Sequence, residues 1–176
     1  MTMTIDKAEV MAEVSKTSAY IGAKTITQDG GNLYNNISTI REDAEMLQRY
    51  WDEACSNVAS AGKEFVAAVG SGDAQWTLTL EMSEKYNDAL TGVLAQRAFS
   101  YVVRYILANW LLLCGFGASV VEVYRQDAQS LLAAVQDTLY ARKFTRPADD
   151  AEGNNAIGGD TPQNLGPVRA VIIERT

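Results

Sequence analysis

Two long apolar segments joined by Gly115-Phe116-Gly117 constrain the fold of this chain more than any other feature. They cover residues 91–143, and in each the apolar residues recur at the three- and four-residue spacing of an amphipathic helix. The first segment has a wide apolar face, which is typical of a helix at the centre of a domain. We therefore predict a helical hairpin that bends at the two glycines.

The ends of the hairpin helices carry their own signals. Thr91 is the expected N-cap of the first helix, and Ser119 with Glu122 has the capping-box spacing at the start of the second. Arg142 and Lys143 are expected to close the second helix, where cations oppose the negative end of the helix dipole. The predicted core positions are Leu94, Ala98, Val102, Tyr105, Ile106, Trp110 and Leu113 in the first helix, and Val121, Tyr124, Ala128, Leu131, Leu132, Val135 and Leu139 in the second.

Two further helices are predicted before the hairpin. The first covers residues 6–24 and has its apolar residues on one side. The second is expected after the capping-box spacing of Thr39 and Glu42, and its apolar stripe continues in steps of four and three over residues 40–68. The turn residues 70–73 are expected to end it. The stripe consists of Ile40, Ala44, Leu47, Trp51, Ala54, Val58, Ala61, Phe65 and Ala68.

The pattern changes to a period of two over Trp76–Met82, which predicts a strand with one buried face. A strand cannot satisfy its own backbone hydrogen bonds, so this one must pair elsewhere. The only other good strand candidate is Val168–Ile173. The sequence leaves open whether these two segments pair within one subunit or between neighbouring subunits.

The C-terminal residues 147–176 differ in composition from the rest of the chain. Up to residue 167 they are rich in Asp, Glu, Asn, Gly and Pro, and such a stretch buries too little apolar surface to offset its chain entropy. We predict a flexible acidic arm that ends in a strand and adds it to a sheet edge of another subunit. The alternative is that the arm folds back onto strand 76–82 of its own chain. The predicted fold is therefore mainly α: a helical bundle of about four helices over residues 1–146, with a minor β element and an extended C-terminal arm.

A basic cluster, formed by Arg142, Lys143 and Arg146, directly precedes the arm. It either caps the end of the last helix or docks onto an acidic surface of a partner. We combine this cluster with the aliphatic end of the arm as the predicted partner-binding set. Its members are Arg142, Lys143, Arg146, Val168, Val171, Ile172 and Ile173.

Composition argues against several classes of function. The chain has 176 residues, of which 47% are hydrophobic, and this suits one domain plus a tail. Its net charge of −7 opposes non-specific binding to nucleic acid, which needs an excess of Lys and Arg. Cys55 and Cys114 have no C-x-x-C spacing and are expected to be buried free thiols in a reducing cytoplasm.

Reaction chemistry is not indicated either. The sequence contains no histidine, which removes the commonest general base and metal ligand. Ser60 and Lys63 match the S-x-x-K spacing of some acyl-transfer enzymes, but the companion motifs are missing. Gly115 and Gly117 lack the third glycine and the preceding strand of a dinucleotide site, and the acidic arm does not fit a calcium loop. We therefore predict a protein that is not an enzyme, with no catalytic, cofactor or metal site.

The most apolar window, Tyr105–Val121, is shorter than the about 20 residues that span a bilayer, and it contains two glycines. A buried helix that ends in a turn explains it better. The N-terminus lacks the basic region and apolar run of a signal peptide, so export is not expected. A membrane-active hairpin built on Leu94–Val121 is the alternative.

Three short segments carry a resemblance to a known family. They are Met46–Ala54, Leu80–Thr91 and Leu139–Pro147. Over residues 40–147 the chain thereby resembles small helical proteins encoded in the virion-structure gene clusters of tailed phages and prophages of gut anaerobes. Such proteins are similar in size and form to head-tail connector (adaptor) proteins. The long tail beyond Pro147 departs from the pattern of that family.

The resemblance implies a virion structural protein, most specifically a connector that forms a homo-oligomeric ring beneath the portal. Twelve-fold symmetry is one expectation for such a ring. The implied partners are the portal protein and a tail or stopper protein, with no membrane and no sequence-specific nucleic acid, although DNA passes through the ring. The implied location is the head-tail junction of the virion, after assembly in the host cytoplasm. A tail terminator or completion protein is the alternative.

Overall fold

The structure is a computed structural model, and it describes residues 1–24 and 43–143. This part of the chain is mainly helical, with four helices and a small three-stranded sheet, which confirms the predicted fold class. The helices are α1 (Lys7–Lys24), α2 (Ala44–Ala61), α3 (Thr91–Leu113) and α4 (Ala118–Leu139), and a short 3-10 turn (Asp88–Leu90) precedes α3. The strands are β1 (Thr2–Asp6), β2 (Val66–Ser71) and β3 (Gln75–Leu80).

Helix α3 lies at the centre of the described domain. It packs against α1, α2, α4 and β1. Its buried residues include the consecutive Tyr101, Val102 and Val103, so more than one side of the helix is covered. This arrangement confirms the central position that its wide apolar face predicts.

The bend between α3 and α4 is a tight turn. Gly115 has a φ of +79°, in the left-handed region that glycine adopts without a Cβ clash. The bend of the hairpin therefore lies where the sequence predicts it. Leu113, in the last turn of α3, is 53% exposed, so its predicted place in the core is wrong.

The starts of both hairpin helices differ from the predicted ones. Leu90 is the N-cap of α3, and Thr91 is its first helical residue, because the Thr91 hydroxyl donates a 2.9 Å hydrogen bond back to the Asp88 carbonyl. Gly117 is the N-cap of α4 instead of Ser119. The reason is that the Gly117 carbonyl already accepts hydrogen bonds from the N–H groups of residues 120 and 121.

Helix α4 ends at Leu139, with Tyr140 as its C-cap. Arg142 and Lys143 therefore lie beyond the helix and do not close it as predicted. Residues 141–143 leave the helix because their backbone pairs with the segment before α3.

The N-terminal strand β1 leads directly into α1, and the sequence analysis misses it. Asp6 ends the strand and caps the helix, since its carboxylate accepts hydrogen bonds from the N–H groups of Ala8 (2.8 Å) and Glu9 (3.2 Å). Helix α1 therefore starts at residue 7, one position later than predicted. Val10 and Val14 are buried on its inner side, as predicted.

Helix α2 ends at Ala61, so the prediction of a helix up to Ala68 is wrong. Gly62 is its C-cap, and a Cβ atom at this position would lie 3.2 Å from Cδ1 of Leu139. The chain then turns into β2, which contains Ala68. Trp51, at 2% exposure, lies in the core as predicted.

Strand β3 is the middle strand of the sheet, and β1 and β2 pair with it in antiparallel fashion on either side. Its inward side chains are buried, which confirms the predicted strand, although β3 ends at Leu80 instead of Met82. The expectation that Val168–Ile173 is the only other strand is wrong, because β1 and β2 occupy both edges of β3. The buried side chains of β3 are Trp76, Leu78 and Leu80.

Several predicted features lie outside the described residues. They are the capping box at residues 39–42, the arm at residues 147–176 with its terminal strand, and the partner-binding residues Arg146, Val168, Val171, Ile172 and Ile173.

Candidate functional site

The groups considered for reaction chemistry are a metal site, Ser60 with Lys63, and the thiol of Cys55. Within residues 1–24 and 43–143, no three His, Cys, Asp or Glu side chains are placed to hold a metal ion. Ser60 and Lys63 are both exposed near the end of α2. Burial raises the pKa of the Cys55 thiol to about 12, so this thiol is protonated and unreactive at neutral pH. The described surfaces offer further candidates for function.

A groove of about 590 Å³ lies between α1, α3 and α4. Its two carboxylates each have a cation nearby. Asp127 Oδ2 lies 3.9 Å from Arg104 Nε, and Glu13 Oε2 lies 3.6 Å from Lys16 Nζ. Because these opposite charges offset each other, the groove offers no concentrated charge that would select a ligand.

Two tyrosine hydroxyls hold α2 against α3. Asn57 Nδ2 donates a 3.0 Å hydrogen bond to the Tyr101 hydroxyl, and the Tyr105 hydroxyl donates a 3.1 Å hydrogen bond to Glu53. Burial raises the pKa of Tyr101 to about 12, so its hydroxyl stays neutral. We assign these side chains a structural role between the two helices.

We call residues 140–143, where the chain leaves α4, the arm root. The backbone of Arg142 forms an isolated antiparallel bridge with Tyr86. The Lys143 N–H donates a 2.8 Å hydrogen bond to the Lys85 carbonyl. The arm root is therefore held by backbone pairing to the segment between β3 and α3.

Side chains reinforce the arm root on both sides. Lys143 Nζ donates a 2.8 Å hydrogen bond to Asp88 Oδ2. The Tyr140 hydroxyl donates a 2.8 Å hydrogen bond to Glu64, and the Tyr140 ring packs edge-on against Phe65 at a centroid distance of 5.1 Å. Because Phe65 directly precedes β2, the arm root lies beside the start of that strand.

The structure brings together two members of the predicted partner-binding set. Arg142 and Lys143 are both exposed at the arm root, next to residues 85–88. Their position at the start of the arm is compatible with docking, whereas the helix-capping interpretation is wrong because α4 ends before them.

Strand β2 is an open edge of the sheet. Among the described residues, only β3 pairs with it. All its residues from Ala67 to Ser71 are exposed, and the strand contains neither a charged residue nor a proline, with which proteins commonly protect sheet edges. The pairing with β3 is irregular between Val66 and Ala68 and regular over residues 68–71. Residues 68–71 therefore form a regular strand edge to which another strand could pair through backbone hydrogen bonds.

Val69 shows how open this edge is. It lies opposite Leu78 in the register and so on the same face of the sheet, yet Leu78 is 1% exposed and Val69 is 51% exposed. The helical layer therefore covers β3 but leaves β2 uncovered. At the hairpin turn, Gly72 N–H donates a 3.0 Å hydrogen bond to the Gln75 carbonyl. Because hydrogen-bonded and non-hydrogen-bonded pairs alternate, the N–H and C=O groups of Val69 and Ser71 point away from β3.

A second open surface lies at the bend of the hairpin, and we call it the hairpin-end surface. It consists of Leu112, Leu113, Val120 and Val123, whose exposed fractions are 52, 53, 38 and 57%. Between Arg104 and Glu122 the sequence contains no charged residue. Grouped exposed aliphatic side chains commonly mark sites of contact with another molecule.

Sequence reasoning misses both surfaces. It assigns β2 to the end of a helix and places Leu113 in the core. The signal for β2 is the uncharged run Val66–Ser71, which is bounded by Gly62 and Gly72. The signal for the hairpin-end surface is the closeness of its aliphatic residues to Gly115, since helix ends at a bend have few neighbours to cover them.

None of the described helices is long and apolar enough to cross a bilayer. Comparisons with protein-family models, with curated proteins and with solved structures gave no match.

Proposed function

We propose that this protein is a virion structural protein of a tailed phage, specifically a head-tail connector that forms a homo-oligomeric ring beneath the portal protein. The hairpin-end surface carries this proposal, because it offers each copy an exposed apolar contact site. The resemblance over residues 40–147 supplies the virion context.

A second copy of the chain is the occupant that fits the hairpin-end surface. The chain has a net charge of −7, so its copies repel each other over much of their surface. Two such copies approach most easily where charge is absent. The stretch from residue 105 to residue 121, which contains most of the hairpin-end surface, is uncharged.

Ring closure makes such a contact durable. In a closed ring each copy contacts two neighbours, so individually weak contacts act together. In this proposal the portal protein and a tail or stopper protein bind the two sides of the ring, and DNA passes through it without sequence-specific contacts. Assembly takes place in the host cytoplasm, and the finished ring lies at the head-tail junction.

A pair of matched variants tests the self-contact. Leu113→Asp places a charge in the hairpin-end surface, whereas Val93→Asp places the same charge at a 39% exposed position at the other end of α3. We expect Leu113→Asp to abolish rings in native mass spectrometry and electron microscopy while circular dichroism and melting stay unchanged. Val93→Asp should still assemble. Rings formed by Leu113→Asp would contradict the proposal.

Electron microscopy of the virion tests the location. A ring between the portal and the tail is the expected result. Density that caps the tail tube without contacting the portal would instead indicate a tail terminator and overturn the connector assignment. Binding to phospholipid vesicles that Leu113→Asp abolishes would identify a membrane-active hairpin and overturn the virion role of this surface.

A further inference from the structure

We infer that the open edge of β2 is the acceptor for the C-terminal strand, residues 168–173, of a neighbouring copy of this chain. The inference rests on the proposed ring and names a contact that joins adjacent subunits. It assigns the acceptor to one specific strand edge of the described domain.

The backbone of β2 has the groups that strand addition needs. Val69 and Ser71 direct their N–H and C=O groups away from β3, and they lie in the regularly paired part of the strand. An exposed, uncharged edge of this kind is a template for another strand.

The side chains of the arm strand match the exposed face of β2. Because side chains alternate in a strand, Val168, Ala170 and Ile172 would share one face of a strand at residues 168–173, and all three are apolar. Val69 is 51% exposed on the face of the sheet that packs against the helices elsewhere. A strand added beside β2 with this apolar face inward would cover Val69 and extend the core by one strand.

The linker between the arm root and the arm strand, residues 144–167, is long enough to reach another subunit. A flexible chain of about 24 residues spans about 25–30 Å on average and about 80 Å when extended. A connection back to the edge of its own sheet would usually be far shorter, since the arm root already lies beside Phe65 at the start of β2. Residues 144–167 are also rich in acidic side chains, and charged linkers favour extended conformations.

Cysteine cross-linking between two differently labelled proteins tests the inference. All proteins carry Cys114→Ser, while Cys55 remains because it is buried. One protein carries Val69→Cys on β2, and the other carries Val171→Cys or Ile172→Cys, so that both faces of the arm strand are sampled. Thr4→Cys on the opposite edge strand, β1, is the matched control for Val69→Cys.

The expected result on mild oxidation is a disulfide between the Val69→Cys protein and one of the two arm variants, with at least ten times less product for Thr4→Cys. A single chain that carries both cysteines should form covalent oligomers. An internal disulfide within monomers would overturn the inference in favour of folding back. Preferential linkage to Thr4→Cys would also overturn it.

A second pair of variants tests the backbone contact. Val69→Pro removes an N–H that points away from β3, whereas Ala68→Pro removes one that points towards it. Val69→Pro should leave the monomer folded and abolish the cross-link between an arm variant and Ser71→Cys on the same edge, opposite Trp76. Retention of that link would count against strand addition.

The same samples distinguish failure of this inference from failure of the proposed function. Rings without the link between β2 and the arm would overturn the inference alone. The link in dimers that never close into rings would support the inference and overturn the ring. Monomers without the link would overturn both.

Discussion

Lys143 Nζ lies 2.8 Å from Asp88 Oδ2, and this pair ties the last described residue of the chain to the turn that starts α3. Together with the backbone bridge between Arg142 and Tyr86, it fixes residues 142 and 143 against the segment before α3. In the proposed ring, this exit point of the chain would be the same in every subunit.

The first prediction concerns the charge of Asp88. Its hydrogen bond with Lys143 holds the pKa of this carboxyl below its ordinary value of 3.8. Because the folded-state pKa is lowered, the stabilising contribution is present above the ordinary pKa and is lost as the pH falls through the folded-state value. Lys143→Ala should raise the pKa of Asp88 towards 3.8 in an NMR titration, whereas Lys143→Arg should keep it low. A value unaffected by Lys143→Ala would mean that the pair does not form in solution.

A second prediction concerns the cap of α1. The hydrogen bond from the Glu9 N–H, followed by that from Gln75, lowers the pKa of Asp6. Asp6→Ala should lower the melting temperature at pH 7. Below the folded-state pKa of Asp6 the decrease should be smaller, because the protonated carboxyl of the unmutated protein stabilises the helix less. Asp6→Asn keeps an oxygen acceptor and should retain most of the stability while flattening the acid side of the pH profile. Equal losses in both variants would contradict the capping role.

Trp51 provides a third prediction, on the core. Its side chain is 2% exposed on α2, so Trp51→Ala removes a large apolar group and leaves a cavity. We expect a loss of about 3–5 kcal/mol in the free energy of unfolding, measured by urea denaturation. Arg49→Ala on the same helix removes only an exposed ion pair with Glu53 and should cost less than about 0.5 kcal/mol. Similar losses for both variants would show that Trp51 is not in a packed core.

The glycine at the bend, Gly115, gives a fourth prediction, in which two glycine-to-alanine variants should change the stability of the protein in opposite directions. A Cβ atom at Gly115 meets no atom within 4 Å, but its φ of +79° is unfavourable for alanine. Gly115→Ala should therefore cost about 1 kcal/mol through backbone strain alone. Gly92→Ala, equally free of contacts but inside α3, should stabilise the protein by up to about 1 kcal/mol. Thermal unfolding of the two variants measures the opposite signs.

The cysteines give a fifth prediction. Burial raises the pKa of Cys55 to about 12, and it also raises that of the half-buried Cys114. With an aromatic disulfide reagent at pH 8, Cys114 should react slowly and Cys55 only when the protein unfolds. Cys114→Ser should therefore abolish labelling of the native protein. Rapid labelling that persists in Cys114→Ser would show that α2 opens readily.

Local patterns predict the helical part of this fold well. The hairpin, α1 and the strand at Trp76 follow from the spacing of apolar residues, because each buries one face against the same core. The end of α2 is harder to predict. Phe65 and Ala68 continue the helical spacing by coincidence, whereas the chain leaves the helix at Gly62, where a Cβ atom would approach Leu139 Cδ1 to 3.2 Å.

The pairing of the sheet is beyond local reasoning. Met3 and Ile5 alternate with threonines, but a five-residue alternation is a weak signal until its partner is known. That partner is β3, where Thr2 lies opposite Thr79. The open edge of β2 cannot be predicted from the local sequence for the same reason. Whether a strand lies in the middle or at the edge of a sheet depends on residues far away in the chain.

The direct passage from β1 into α1 has a consequence for synthesis on the ribosome. Strand β1 is made before β3, its only described partner, so Met3 and Ile5 stay without their sheet until Leu80 has left the exit tunnel. Closing so long a loop is slow compared with forming the helix that follows. The nascent chain therefore carries an unpaired, aggregation-prone strand directly before a helix, and a pause in translation before residue 80 would prolong that exposure.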